Sequence, residues 1–379
     1  MSETPTALRA CARFSHPGSG VPHLSQGLLQ PPAVTVVMPV YNGELFLREA
    51  VDSVCGQTYR DWELLIVDDH STDDSRRIAA EYARRDPRVK VITNLQRKGI
   101  VGALNTGLDA ATGVYIARMD ADDISLPERF AQQVAYLETH PEVALCGTWV
   151  RMIGAASTRR RYPTDPERLR AFALFNCPLA HPTVMWRRAW FERQGLRYDA
   201  AACPEDYELW ARVVTHFPAA NLGRVLLHYR IHAASSSSVD WSNVDAQAAK
   251  ISGGLLARLG LNADADELRL HRHIAQGRSE GTREFLGRAD AWLARVAAAN
   301  AASRWSAPEA FHSVAADLWF ALCFHSVRLG SGVLRTYAAA PFAARGPDRI
   351  ARLTLLGLAV VKHKCWSPRA TSGTNSCAC

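Results

Sequence analysis

From residue 33 the chain repeats one order: a short apolar run, then a helical pattern, then another apolar run. "AVTVVMPV" is followed by "GELFLREAVDSVCGQ", "WELLIVDD", "DSRRIAAEYARR", "RVKVIT", "GALNTGLDAA" and "VYIARM". Leu47, Ala50, Val51 and Val54 recur at helical spacing, whereas "LLIV" is the near-continuous apolar run of a strand covered on both faces. Alternation of this kind predicts a doubly wound α/β sheet. Such sheets bind ligands beyond the carboxyl ends of their strands. The polar residues to examine are therefore those that follow the runs: Pro39 to Gly43, Asp68 to Ser71, and Asp120 to Asp123.

The first of these segments reads "PVYNGE", with one glycine, so neither the G-x-G-x-x-G turn of a dinucleotide-binding fold nor a Walker loop is present. The third lies in "ARMDADDISLPERF", where Asp120, Asp122 and Asp123 close a hydrophobic strand. Carboxylates this close raise one another's pKa, which calls for a nearby cation. A D-x-D spacing lets two carboxylates reach one hard divalent ion together with phosphate oxygens. An EF-hand counted from Asp120 needs Gly and Glu where this chain has Ser125 and Ala131. The residues alone leave a second reading open: a solvated loop whose Asp123, Ser125 and Pro127 start the helix "PERFAQQVAYLE".

Three longer stretches, "TVVMPVYNGELFLREAVDSVCGQTYRDWELLIVDDHSTDDS", "GALNTGLDAATGVYIARMDADDISLPERF" and "PEDYELWARV", resemble in order the signature blocks of family 2 glycosyltransferases, over roughly residues 33 to 234. The resemblance implies a GT-A fold: a nucleotide-binding α/β sheet flanked by helices, here with a C-terminal helical extension. It further implies a nucleotide-sugar donor and Mn2+ or Mg2+ held at Asp120-Ala121-Asp122, with Asp122 bridging the metal to the diphosphate and Asp120 nearer the ribose. By the same resemblance Tyr41 stacks on the base between Pro39 and Asn42, and Asp69 accepts a hydrogen bond from a uracil ring nitrogen. Lys98, with Arg97, is a candidate phosphate contact. His232, in "HYRIHAASSSS", completes the metal shell.

The acceptor hydroxyl must lose a proton as it attacks, which requires a carboxylate facing the donor. The resemblance assigns Asp206 as that base and Glu205 as its support, while helix N-terminal acids are the plainer reading of the pair. One base and a single displacement invert the anomeric centre. His181 and Trp210 are assigned to the acceptor side. The expected acceptor is a glycan or glycolipid hydroxyl in surface polysaccharide or lipopolysaccharide assembly.

The 379 residues, 48% hydrophobic and 21% charged, are ordinary for a folded protein. Residues 1–32 are expected to be a disordered arm, 33–234 the glycosyltransferase domain, and 235–379 a helical region beginning after "SSSS". Nine cysteines without C-x-x-C spacing point to a reducing cytoplasm rather than disulfides or zinc. The net charge of +7 is concentrated at the C-terminus: between 331 and 379, Arg335, Arg345, Arg349, Arg352, Lys362, Lys364 and Arg369 face one acid, Asp348. With "LWFALCF" and "LTLLGLAVV" in 313–362, the expectation is peripheral contact with the inner face of an anionic membrane. Nucleic acid is not an expected partner, because no DNA- or RNA-binding module accompanies the charge. A nucleotidylyltransferase is the alternative enzyme, but it would need a Gly-rich basic loop after the first strand.

Overall fold

A computed structural model describes residues 31–232 and 241–366. Residues 1–30 of the expected arm and the expected boundary at Ser235 to Ser238 lie outside the described residues. The predicted alternation is present as β1 (Val34–Val40), α1 (Leu47–Cys55), β2 (Trp62–Asp68), α2 (Ser75–Arg85), β3 (Val89–Thr93), α3 (Ile100–Ala110) and β4 (Tyr115–Arg118). There follow β5 (Ile124–Ser125), α4 (Arg129–Thr139), β6 (Leu145–Gly154), β7 (Arg159–Arg160), α5 (Pro166–Ala173), β8 (Met185–Arg187), α6 (Arg188–Arg193), α7 (Glu205–His216) and β9 (Ala219–Ile231). Helices α8 (Trp241–Arg258), α9 (Ala265–Ala275), α10 (Arg283–Ser303), α11 (Pro308–Phe324), α12 (Ser331–Ala339) and α13 (Gly346–Trp366) complete the described chain.

The strands form one sheet in the order β3-β2-β1-β4-β8-β6-β9-β5, with β7 on β6. β3, β2, β1 and β4 pair in parallel. Beyond β4 the sheet is mixed: β8 is antiparallel to both β4 and β6, and β9 runs parallel to β6. This second half is less regular than a doubly wound sheet predicts. β8 has only three residues, and the β6–β9 pairing shifts register around Trp149, so neither leaves a strong periodic signal. From β1 the chain moves outward to β2 and β3, then returns to the other side of β1 as β4. The reversal falls at the carboxyl ends of β1 and β4, the position where sheets of this kind hold their ligand crevice.

Alternation along β1 and β2 divides the core. Val37, Leu65 and Val67 join one apolar cluster, while Val36, Met38, Leu64 and Ile66 join another on the opposite face. The first cluster continues through α3, α5 and α7 into the C-terminal helices, including Leu256, Trp292, Phe311, Trp319 and Tyr337. Asp165 caps α5 by accepting from Arg168 N at 2.8 Å, with Pro166 in its first turn.

This packing corrects one expectation about the membrane surface. Leu318, Trp319, Leu322 and Cys323 of "LWFALCF" are core residues of α11, not a lipid-facing stripe. α13 divides differently: Leu356 and Val360 are buried, while Ile350, Leu355, Leu358 and Val361 are exposed. Among the described residues no helix is long and apolar enough to cross a membrane.

The close seat of α3 on the sheet depends on Gly107, where a Cβ would collide with Val37 and come within 3.2 Å of Val67 Cγ2. Gly107→Ala is expected to destabilise the protein by about 1–3 kcal/mol through overpacking. A lower urea midpoint at an unchanged m-value would be the observed outcome, and an unchanged midpoint would contradict it.

Candidate active site

The donor side is built from loops that lock to one another. Asn42 takes a left-handed φ of 49°, tolerable for asparagine. Its Oδ1 accepts from Thr72 N at 2.8 Å, and its own N donates to Ser71 Oγ at 3.1 Å, so the β1–α1 and β2–α2 loops form one wall. Pro39 lies near the end of β1. Tyr41 is 53% exposed, with Lys98 Nζ 4.4 Å from its ring centroid. Asp69 is buried; its oxygens accept from Asn94 Nδ2 at 2.6 Å and Gly99 N at 2.8 Å. It therefore ties the end of β2 to the loop that carries Lys98. A carboxylate has about four lone-pair sites, so Asp69 retains acceptor capacity.

Three carboxylates converge at the end of β4. One oxygen from each of Asp120, Asp122 and Asp123 lies within 4.8 Å of the others. Asp122 Oδ2 is 2.9 Å from His232 Nε2, which brings together two of the sequence-predicted metal ligands from distant parts of the chain. Asp123 accepts from Arg230 N at 2.8 Å through Oδ1, while its buried Oδ2 has no hydrogen-bond partner among the described residues. Burial, reinforced by Asp120 and Asp122, pushes the Asp123 carboxyl well above its ordinary range. Asp120 is also raised, first by burial, with Arg118 opposing the shift. The donor set is hard oxygen plus imidazole, and one buried carboxylate oxygen lacks a partner. Both features fit a divalent cation.

Across the crevice, Glu205 and Asp206 are the first residues of α7. Asp206 Oδ1 accepts from Tyr207 N at 2.7 Å, and Oδ2 lies 3.6 Å from the Cys177 thiol. Burial raises the Asp206 pKa. Burial and then the Asp206 charge push Glu205 up to about 7. His181 Nδ1 lies 3.7 Å from Glu205 Oε1, and His181 Nε2 is 2.8 Å from the Tyr198 hydroxyl. Burial, then the Arg118 charge, hold this imidazole well below its usual pKa, so it is neutral at pH 7.

Trp210 requires a correction. At 0% exposure it lies beneath the site, with ring centroids 6.0 Å from His181 and 6.5 Å from Tyr198. It supports those rings and presents no surface to an acceptor. The sequence reading also missed Arg118, which is 3% exposed and ion-paired to Asp120. Its charge acts on Asp120, Asp123, Glu205, Asp206 and His181, so the two carboxylate groups share one electrostatic volume. The available signal was an arginine inside the otherwise apolar run "VYIARM".

A parallel half-sheet with a crevice at its strand reversal, lined by a carboxylate–histidine cluster and an opposing acid pair, defines a GT-A transferase. The profile described as "Glycosyl transferase family 2" matches residues 35–197. The putative glycosyltransferase EpsE of Bacillus subtilis is 37% identical over 205 residues, covering 52% of this chain and 73% of that protein. The Escherichia coli enzyme named UDP-Glc:alpha-D-GlcNAc-diphosphoundecaprenol beta-1,3-glucosyltransferase WfgD is 31% identical over 207 residues, 54% of this chain and 79% of that one. The chain belongs to glycosyltransferase family 2 and is a glycosyltransferase. Its fold resembles the crystal structure of S. aureus TarS 1-349 in complex with UDP-GlcNAc, with a TM-score of 0.51 and 14% identity over 87% of this chain and 91% of that one.

The raised Glu205 pKa has a signed consequence. A carboxyl that is harder to ionise in the folded state contributes stability below its unfolded value of 4.5, and that contribution is lost as pH rises through about 7. Without added metal, Glu205→Gln should therefore melt increasingly above wild type as pH rises from 5 to 8. A melting-temperature difference that stays constant across that range would contradict the assignment.

Proposed function

We propose that this enzyme moves a sugar from a nucleoside diphosphate donor, UDP-linked, to a hydroxyl of a glycan or glycolipid acceptor, with inversion. The observation that carries the reading is the opposition of two partly buried groups of acids, the Asp120/Asp122/Asp123 cluster and the Glu205–Asp206 pair, around one crevice. Tyr41, with Pro39 and Asn42, offers the base a stacking wall, Asp69 an acceptor for a ring N–H, and Lys98 a cation for phosphate. Asp122, Asp120 and His232, joined by the free oxygen of Asp123, would hold Mn2+ or Mg2+. When bound, that ion would stabilise the negative charge of the leaving diphosphate.

Asp206 is the general base in this reading. Its raised pKa makes it a better proton acceptor than a solvated aspartate. Neutral His181 and the Tyr198 hydroxyl border Glu205 and would orient the acceptor hydroxyl. Relatives named for O-antigen and amylovoran biosynthesis support a role in surface polysaccharide assembly. Cys55, Cys146, Cys177, Cys203 and Cys323 are free thiols, in keeping with a cytoplasmic site of action. No relative reported above is named as a nucleotidylyltransferase.

Asp206→Asn should lower turnover by roughly 10²- to 10⁴-fold while leaving donor binding nearly intact, because the amide keeps size and hydrogen bonding but cannot take a proton. Glu205→Gln should cost less. Release of nucleoside diphosphate, followed with acceptor saturating and chemistry rate-limiting, is the measurement. Near-normal turnover in Asp206→Asn would move the base elsewhere, and release of pyrophosphate from a triphosphate would make the enzyme a nucleotidylyltransferase.

We also infer that α13 meets the anionic surface that carries the acceptor. Its exposed Ile350, Leu355, Leu358 and Val361 form an apolar stripe on a helix that also bears exposed Arg349 and Lys362, with Arg345 just before it. Such a helix lies in the interface plane instead of crossing it. The full chain should float with vesicles containing phosphatidylglycerol, and Ile350→Glu/Leu358→Glu should remain at the bottom of the gradient without losing its fold. Flotation unaffected by the double substitution would rule α13 out.

A further inference from the structure

β4 is apolar until its last residue, Arg118, whose side chain is 4% exposed. A guanidinium this deep is tolerated only when paired, and its partner is Asp120 Oδ2. Its backbone is pinned on both sides: N donates to Val184 O at 2.9 Å, and O accepts from Arg129 Nη2 at 2.7 Å. The charge therefore remains where β4 puts it. Arg118 Nε makes no hydrogen bond among the described residues, leaving a buried donor beside the carboxylates. The three acids of the cluster thus stand in different states. Asp120 is paired with a fixed cation, Asp122 faces the His232 ring, and Asp123 keeps one oxygen without a partner.

We propose that Arg118 is a built-in competitor of the divalent cation for Asp120, which withholds that carboxylate from a metal arriving alone and yields it when a nucleoside diphosphate enters. The proposal rests on the metal-dependent reading above and adds an order of binding to it. The reason is electrostatic. A divalent ion beside a fixed guanidinium is repelled by it and must share Asp120 with it, so the empty crevice binds metal weakly. A diphosphate brings negative charge that attracts both cations, and a guanidinium with a spare N–H is suited to an anionic oxygen. Asp120 can then turn to the metal without leaving Arg118 unpaired. Metal and donor would bind together, which keeps the enzyme from being held in a metal-only state. Arg118 acts here as a positioning residue.

The test titrates Mn2+ into the full chain by calorimetry, with and without UDP. Wild type should bind Mn2+ weakly alone and much more tightly with UDP. Arg118→Met should bind Mn2+ alone at least about tenfold more tightly and lose most of the UDP enhancement, whereas Arg118→Lys should stay within about threefold of wild type. Because Arg118→Met exposes the fold to a buried unpaired carboxylate, Asp120→Asn provides an independent arm. It should change Mn2+ affinity by less than about threefold alone but lower it at least about tenfold with UDP. Asp122→Asn should lower affinity in both conditions. Unchanged or weaker Mn2+ binding by folded Arg118→Met, or an equal loss for Asp120→Asn with and without UDP, overturns the competition while leaving the metal site standing. Absence of Mn2+ binding by wild type even with UDP overturns the metal-dependent reading and this inference with it.

Discussion

The site depends on the buried positive charge of Arg118. Five carboxylates, Asp120, Asp122, Asp123, Glu205 and Asp206, are gathered around one crevice, and without compensation their desolvation and mutual repulsion would oppose folding. Arg118 supplies part of that compensation from the end of β4, where its backbone is hydrogen-bonded on both sides and its side chain is ion-paired to Asp120. It does not supply all of it. Asp123, Asp120, Asp206 and Glu205 all remain above their ordinary pKa, so the negative charge of the folded site is only partly compensated. This residual imbalance distinguishes the arrangement from a closed salt-bridge network.

The topology explains why the charge falls there. Since β4 returns to the far side of β1, the chain leaving it crosses the mouth of the crevice and continues into β5, which pairs with β9 near His228. β9 ends at Ile231, so His232 comes back over Asp122. A metal-type cluster is thereby closed by residues 110 positions apart through one antiparallel pairing. On the opposite side, α7 is anchored by Trp210 and Tyr207, both buried, with the Tyr207 hydroxyl donating to Ala173 O at 2.8 Å. That helix shares its apolar cluster with α10 and α11, so the C-terminal helices contribute to holding Asp206 in position.

Much of this was legible in the chain. Strong runs such as "WELLIVD" are buried along their whole length and announce themselves as strands, and the acids at strand ends announce a site. The second half of the sheet was harder to read because β5, β7 and β8 have two or three residues each and owe their existence to pairing, not to local preference. The role of Trp210 was misread for a related reason. The motif places Trp210 one turn beyond the base on the same helix face, but its ring packs in the core against His181 and Tyr198 and keeps no exposed surface. Arg118 is one of 44 basic residues, and what marks it out is its location in an apolar strand.

α13 carries the same kind of argument to the surface. Residues 356 and 360 are one turn apart and buried, which fixes the face that packs on the protein. On a 3.6-residue helix position 358 falls opposite the buried pair and positions 350 and 361 on the flank beside it, all three exposed. Arg352 is drawn the other way, to Asp317, which also pairs with Arg168 of α5 and so links α13 to α11 and the sheet domain. The helix therefore cannot rotate to hide its aliphatic stripe without breaking that double ion pair and exposing Leu356 and Val360. An apolar stripe held outward in this way is a property of the folded helix and its packing.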